Sequence, residues 1–222
     1  MKALKAIALF ILMSTCAAAQ RSYVEFSTTK GNIVIMLYDK TPKHKKMFLN
    51  EVRKGTYKQA QFNRVIKDFV SQAGELDEPI LAEEKLHPEQ TPLRLPAEID
   101  SNLIHKRGAL GAGRDDNPAK SSYFNQIYLV SGKVWTDEQL DELEKKTGRK
   151  MSSETREIYK TKGGIPRLDY DYTIFGEVVV GLDVAEQINK AQTDKQDVPI
   201  ESIVFNARVL SKRDIKAAKR LK

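Results

Sequence analysis

The sequence has few of the residues that carry metal and covalent chemistry, with one cysteine and three histidines among 222 residues. A single thiol, Cys16, excludes an internal disulfide, and His44, His87 and His105 lack the spacing of metal ligands. We interpret these histidines as surface or capping residues. Residues 108–113 are rich in glycine but lack the Gly-Lys-Ser/Thr ending of a phosphate loop, and there is no Gly-x-Ser-x-Gly elbow. The sequence therefore predicts no metal, no nucleotide, no other cofactor and no covalent nucleophile.

An apolar run long enough to cross a bilayer is also absent. Residues 1–19 combine two early lysines, a short apolar run and three alanines before Gln20, which is the pattern of a secretory signal peptide. We therefore expect an exported, periplasmic protein, with an N-terminal membrane anchor as the alternative. Cleavage after Ala19 would remove Cys16, whereas lipidation at Cys16 would tether the domain to a membrane of the cell envelope.

The formal charge of +7 is concentrated at the two ends of the chain. Two lysines lie in the first 19 residues and residues 212–222 carry a net charge of +5, so residues 20–211 are formally neutral. A neutral domain has no extended basic face, and we therefore predict no nucleic-acid partner. We interpret residues 212–222 as a solvated basic tail, with weak contact to anionic lipid as the alternative.

Residues 20–211 suit one domain in length, and their pattern is mainly β. The segments 23–26 and 33–38 are apolar and rich in β-branched and aromatic residues, and they flank Gly31, which indicates a hairpin. The same composition predicts further strands at residues 126–130, 172–178 and 200–210.

Two helices are expected to pack on these strands. One begins at Thr41, the predicted N-cap before Pro42, and ends at Gly55. The other covers residues 181–188, which place apolar side chains on one face. Proline and acidic residues predict a long irregular connection at 75–96.

Residues 136–162 differ from the rest of the chain and read as a helical hairpin inserted into the β domain. Thr136 and Gln139 form a capping-box pattern, Gly148 ends the first helix, and a second helix starts at Ser152 or Ser153. Insertions of this kind decorate a surface or bind a partner, and the sequence leaves both open.

The segment 61–74 sets one arginine, Arg64, among apolar and aromatic residues. In an extended strand, alternation places Phe62 and Arg64 on one face and the two residues Asn63 and Val65 on the other. A guanidinium beside aromatic side chains either reaches water at a sheet edge or has a partner and a task.

Three blocks in the same chain order resemble the cyclophilin-type peptidyl-prolyl cis-trans isomerases. They are Phe62-Asn63-Arg64-Val65-Ile66 with Phe69 and Gln72-Ala73-Gly74; Gly108-Ala109-Leu110 with Gln126-Ile127-Tyr128; and Leu168-Asp169 with Tyr172-Thr173-Ile174-Phe175-Gly176-Glu177-Val178. The resemblance covers nearly all of residues 23–210 outside 136–162. It implies a closed eight-stranded antiparallel barrel capped by two helices, with an active groove on its outer surface.

The resemblance also implies roles for single residues. Arg64, Gln72 and Phe69 would be catalytic, with Arg64 donating to the prolyl nitrogen and Gln72 holding its guanidinium. Gln126 would bind the substrate backbone, and Tyr172 would contact the substrate through its hydroxyl or cap the barrel rim. The remaining substrate-binding residues would line the proline pocket or the groove beside it: Val70, Gly113, Arg114, Tyr128 and Leu168.

The expected function is prolyl isomerisation during the folding of exported proteins, with proline-containing polypeptides as partners and a monomeric chain. The alternative is a weak or inactive cyclophilin-like module that binds peptides as a chaperone. Departures from the family pattern favour a changed substrate preference and weak binding of the family's cyclic-peptide inhibitor. The main ones are Val70 at a position often held by methionine and Arg167 where some members have tryptophan.

Overall fold

The computed structural model describes residues 21–90 and 93–218. The predicted signal peptide at residues 1–19, including Cys16, lies outside these ranges, as do the last four residues of the predicted tail. Within these two ranges, no helix has the length and apolar character needed to span a bilayer.

Eight antiparallel strands close into a barrel. They are β1 Ser22–Thr28, β2 Gly31–Leu37, β3 Ala60–Val65, β4 Val70–Ala73, β5 Ala109–Ala112, β6 Ile127–Val130, β7 Ile174–Val180 and β8 Val204–Val209. The order around the barrel is β1-β2-β7-β5-β6-β4-β3-β8, which confirms the predicted closed eight-stranded fold. Closure leaves no free sheet edge, so each strand is paired on both sides.

The barrel interior is filled by aromatic and β-branched side chains from alternating strand positions. Phe26, Phe62 and Phe205 are almost fully buried, and the Phe26 and Phe205 ring centroids lie 4.6 Å apart. The helix α1, Pro42–Lys54, buries Phe48 against this cluster. Because side chains fill the barrel interior, we expect a binding groove on its outer surface.

The two predicted capping helices are present as α1 and α5, Leu182–Asn189. Gly55 ends α1 with φ of 85°, as its position predicts. Thr41 precedes Pro42 at the start of α1, but its hydroxyl makes no capping hydrogen bond. Four further helices are described: α2 Asp77–Leu86, α3 Asp137–Thr147, α4 Ser153–Thr161 and α6 Lys212–Ala218.

The prediction of an irregular connection at residues 75–96 is wrong in part, because α2 lies within it. Asp77 and Glu78 occupy the first turn, where carboxylates interact favourably with the helix dipole. Pro79 follows in the same turn, where a missing backbone N–H costs little. None of the side chains of α2 is buried. The helix therefore needs no apolar face, and the sequence lacks the periodic apolar pattern by which a helix is predicted.

The two helices predicted in residues 136–162 are present as α3 and α4. The Thr136 side chain accepts a hydrogen bond from the Gln139 amide, and the Gln139 side chain completes the capping box. Ser152 caps α4 by accepting from the Thr155 amide. We refer to residues 136–162 as the helical hairpin; that it is an insertion relative to the family stays a prediction.

A bulge in β3 changes which side chains face the barrel interior. Phe62 pairs with Ala73 and Arg64 pairs with Gln72, so two steps along β3 match one step along β4. The alternation predicted for this segment is therefore wrong: Phe62 and Val65 both lie in the interior cluster, and Arg64 lies outside it. The bulge turns the guanidinium away from the core and onto the outer surface.

Candidate active site

Arg64 lies on the outer face of the barrel between two polar partners. Its Nη1 donates to Gln72 Oε1 at 3.4 Å, across the β3–β4 pair. Its Nη2 lies 3.5 Å from a carboxylate oxygen of Asp197, on the connection before β8. The side chain is 43% exposed, so it keeps access to a ligand. A guanidinium has five N–H donors, and the contacts with described residues occupy two of them, which leaves three for a substrate.

An apolar cluster lies beside Arg64 and is separate from the barrel interior. The register of β4 and β6 places Gln72 opposite Tyr128, which brings this cluster next to the guanidinium. Five of the predicted site residues belong to it: Phe69, Val70, Tyr128, Leu168 and Tyr172. The structure thus brings together on one surface these residues, Arg64 and Gln72.

Gly113 and Gln126 lie together beside the first turn of α2. A Cβ atom on Gly113 would stand 1.8 Å from Gln126 Oε1, so only glycine leaves room for this amide. Gln126 Nε2 donates to the Glu75 carbonyl at 2.9 Å and to Asp77 Oδ1 at 2.5 Å. The side-chain NH2 group of Gln126, the residue predicted to bind the substrate backbone, is therefore engaged by the protein itself.

Two arginines lie over the aromatic walls of the cluster. The guanidinium carbon of Arg167 is 4.6 Å from the centre of the Phe69 ring, and that of Arg114 is 4.6 Å from the centre of the Tyr172 ring. Arg114 is further fixed by donating from Nε to the Asp171 carbonyl at 2.7 Å. These cation–π contacts give the mouth of the cluster a positive rim.

A buried hydrogen-bonded chain, which the sequence did not predict, supports the cluster from behind. Asp169 Oδ1 accepts from the His105 amide at 2.8 Å and lies 2.9 Å from His105 Nδ1. His105 Nε2 lies 2.9 Å from the Tyr128 hydroxyl, and Tyr159 donates to Asp169 Oδ2 at 2.6 Å. The hydroxyl of Tyr128, in a predicted apolar pocket, needs a hydrogen-bond partner. That requirement was the one signal in the sequence for these hydrogen bonds.

A second buried chain joins α1 to the loop before β6. His44 Nδ1 lies 2.7 Å from Glu98 Oε2, and His44 Nε2 lies 3.1 Å from Ser122 Oγ. The connectivity is that of a hydrolytic triad, but Ser122 and His44 are both fully buried and no substrate can reach them. Burial lowers the pKa of His44 against the opposing effect of the Glu98 carboxylate, which favours a neutral ring.

The interpretation of the histidines as surface or capping residues is therefore wrong for His44 and His105, which have no exposed surface. Only His87 is partly exposed, beside Glu83 and Glu89. Each buried ring is paired with a carboxylate far away in sequence, and that pairing is invisible to local spacing. Across residues 21–90 and 93–218, no group of three His, Cys, Asp or Glu side chains could hold a metal ion.

Comparison with known proteins identifies the family to which the chain is similar. Residues 23–209 match the family model "Cyclophilin type peptidyl-prolyl cis-trans isomerase/CLD". Proteins of Staphylococcus aureus (strain COL) and Staphylococcus epidermidis (strain ATCC 12228), each named "Putative peptidyl-prolyl cis-trans isomerase", are 26% identical over 185 residues. That match covers 83% of this chain and 89% of each relative.

Solved structures with a similar fold are also cyclophilins. A crystal structure of a Cryptosporidium parvum cyclophilin aligns with a TM-score of 0.61 at 19% identity, covering 86% of this chain and 99% of that protein. The closed antiparallel barrel is therefore the cyclophilin fold. With the family model matching most of its length, the chain belongs to the cyclophilin-type peptidyl-prolyl cis-trans isomerases.

Proposed function

We propose that the chain accelerates rotation about X–Pro bonds in exported proteins, using the surface between Arg64 and the apolar cluster. The observation that carries the proposal is the guanidinium of Arg64, held by Gln72 beside five apolar and aromatic side chains. The Cryptosporidium parvum cyclophilin was crystallised in the presence of the dipeptide Ala-Pro, which supports a proline-containing peptide as substrate.

The chemistry needs no cofactor or proton transfer. Rotation about an X–Pro bond is opposed by amide resonance, with a barrier of about 20 kcal/mol. A hydrogen bond from Arg64 to the prolyl nitrogen would localise the nitrogen lone pair and weaken that resonance. This bond is stronger in the twisted amide than in either planar isomer, so it lowers the barrier rather than only binding the substrate.

The apolar cluster would hold the proline ring while Arg64 acts on its nitrogen. Val70, Tyr128 and Leu168 are nearly fully buried, so they form a fixed surface, whereas Phe69 and Tyr172 are partly exposed at its edge. In this proposal Gly113, Arg114 and Gln126 contact the chain on either side of the proline. Their predicted roles rest on the family pattern together with their position beside the cluster.

A second candidate is a peptide-binding module with little catalysis. The observation behind it is the pair of hydrogen bonds from Gln126 to Glu75 and Asp77, because a peptide bound at the apolar cluster would then lack the contact from Gln126 predicted to hold its backbone. Export, a periplasmic location and a monomeric state belong to the proposal, with a membrane tether only if Cys16 is lipidated.

The test is prolyl isomerisation of a short peptide with one Ala-Pro bond, followed by NMR exchange spectroscopy with residues 20–222. We expect catalysis in the parent and a loss of at least 100-fold in a folded Arg64→Ala variant. Equal activity in both proteins would remove Arg64 from its role. A parent that binds the peptide without catalysis would favour the binding module.

A further inference from the structure

The helical hairpin contacts the turn that forms one wall of the apolar cluster. Tyr159 of α4 donates to Asp169, the residue that follows Leu168. Arg149, between α3 and α4, donates from Nη1 to the Asp169 carbonyl at 2.6 Å and forms two hydrogen bonds with the Asp171 carboxylate. These contacts fix the backbone between Leu168 and Tyr172.

The Arg149 contact joins two groups that stay charged. Burial raises the pKa of Asp171, but the hydrogen bonds from Arg149 and Lys120 outweigh burial and hold the pKa at about 2. A bidentate pair of this kind is geometrically specific as well as attractive. The helical hairpin is thus attached to the segment between Leu168 and Tyr172 by specific hydrogen bonds.

The second link runs from the hairpin to the ring of Tyr128 inside the cluster. Tyr159, Asp169, His105 and Tyr128 form one continuous chain of hydrogen bonds, and at most 6% of any of these residues is exposed. With Nδ1 of His105 donating to Asp169, Nε2 accepts from the Tyr128 hydroxyl, and the Asp169 carboxylate accepts from both His105 and Tyr159, so each donor in the chain has an acceptor. Each member is held by its neighbour, so a change at Tyr159 reaches Tyr128.

We infer that the helical hairpin is a working part of the proline pocket, in which Tyr159 and His105 are positioning residues that set the Tyr128 ring and the Leu168 wall. This inference rests on the proposed function of the cluster. It replaces the two roles that the sequence left open for residues 136–162, surface decoration and partner binding, with a role in substrate affinity.

Affinity, rather than the rate of the bound peptide, is the quantity that the hairpin controls. Neither Tyr159 nor His105 is hydrogen-bonded to Arg64 or Gln72, whose own hydrogen bond joins β3 to β4. A loosened Tyr128 ring would fit the proline ring less well, while the donor to the prolyl nitrogen would stay in place.

The experiment compares Tyr159→Phe with Tyr57→Phe as a matched control. Both tyrosines are almost fully buried, and each substitution removes one hydroxyl, but Tyr57 donates to the Asn125 carbonyl and has no link to Asp169. The dissociation constant of the Ala-Pro peptide and the exchange rate of the bound peptide are measured by NMR, and the melting temperature by circular dichroism.

We expect Tyr159→Phe to weaken peptide binding three- to tenfold and to change the exchange rate of the bound peptide less than twofold. Tyr57→Phe should lower the melting temperature about as much as Tyr159→Phe does, but it should leave the affinity for the peptide unchanged. Tyr128→Phe, which keeps the ring and removes only the hydroxyl, should weaken binding as well. The double variant should bind no more weakly than either single variant, because both act through His105.

Equal affinities for the parent, Tyr159→Phe and Tyr57→Phe would overturn the inference while leaving the proposed function intact. Independent effects of the Tyr159 and Tyr128 substitutions would also overturn it. If the parent binds the peptide but does not isomerise it, the proposed catalysis fails, and the affinities of the same variants still decide the role of the hairpin.

Discussion

The guanidinium of Arg64 lies between a buried amide, Gln72, and an exposed carboxylate, Asp197, at 3.4 Å and 3.5 Å. Gln72 is 8% exposed as a residue, whereas the Asp197 side chain is 41% exposed. A buried partner holds its geometry, while an exposed ion pair is screened by water and salt. The two partners should therefore contribute unequally to the orientation of Arg64.

We predict that Gln72→Ala lowers kcat/KM by at least tenfold and Asp197→Asn by less than fivefold. The Asp197 effect should disappear in high salt, where the ion pair is already screened. Peptide isomerisation assayed at two salt concentrations checks both statements. A larger loss in Asp197→Asn than in Gln72→Ala would show that the carboxylate is the main support of the guanidinium.

Gly113→Ala should displace Gln126 without unfolding the protein. The new Cβ atom would collide with the end of the Gln126 side chain, which can rotate but then loses its bonds to Glu75 and Asp77. We expect a three- to tenfold loss of kcat/KM and a stability change of about 1 kcal/mol. Combining Gly113→Ala with Gln126→Ala should cost no more than Gln126→Ala alone, and additive losses would contradict this explanation.

Gly164→Ala should destabilise the protein by about 3 kcal/mol or more, because the joint between the helical hairpin and the barrel has no room for a side chain. The residue has φ of 141°, and a Cβ atom would stand 2.2 Å from the His105 carbonyl oxygen. The control is Gly148→Ala, where φ is 68° but nothing lies within 4 Å of the added atom.

Urea unfolding monitored by circular dichroism measures the difference between these two variants. Gly148→Ala should cost about 1 kcal/mol, the penalty of a left-handed backbone alone. Similar losses in both variants would mean that the backbone around Gly164 relaxes and that the joint is not tightly packed.

The buried ring of His44 predicts a loss of stability in mild acid. Because its pKa is lowered on folding, the unfolded chain binds more protons, and the free energy of unfolding falls as the pH drops below about 6.5. Above that pH both states carry a neutral ring and the effect is absent. His44→Gln should flatten the dependence of unfolding free energy on pH between about 6.5 and 5, measured by urea titration at each pH. An unchanged dependence in the variant would assign the acid sensitivity to another group.

Local signals in the sequence predicted the elements that depend on neighbouring residues. The capping box at Thr136 and the glycine ends at Gly55 and Gly148 act within one helical turn, so sequence spacing is sufficient to place them. The bulge in β3 was missed because it is defined by pairing with β4. Strict alternation placed Arg64 on the same face as Phe62, whereas the bulge puts the two side chains on different faces.

The candidate site divides in the same way. Residues carried by family motifs, such as Arg64 and Tyr128, were predicted as site residues from their order in the chain. His105 and Tyr159 were not, because their chemistry arises from Asp169, which lies 64 residues from His105. A buried histidine and a surface histidine look alike in sequence until the carboxylate that pairs with one of them is placed.

Arg167 should set a preference for acidic residues beside the proline. Its exposed guanidinium lies over Phe69 at the edge of the cluster, where the chain flanking a bound proline would pass. A substrate carboxylate there would form a solvent-exposed ion pair with Arg167. Such a pair contributes about 0.5 kcal/mol, which corresponds to a roughly two- to threefold increase in kcat/KM.

The measurement compares peptides with glutamate or lysine before proline. We expect the parent to prefer glutamate and Arg167→Gln to lose most of that preference, while Arg208→Gln, which removes the same charge at a residue paired with Glu25, should keep it. Raising the salt concentration should weaken the preference of the parent but leave Arg167→Gln unchanged. A preference that survives in Arg167→Gln would transfer this role to Arg114, whose guanidinium lies over Tyr172 on the other wall.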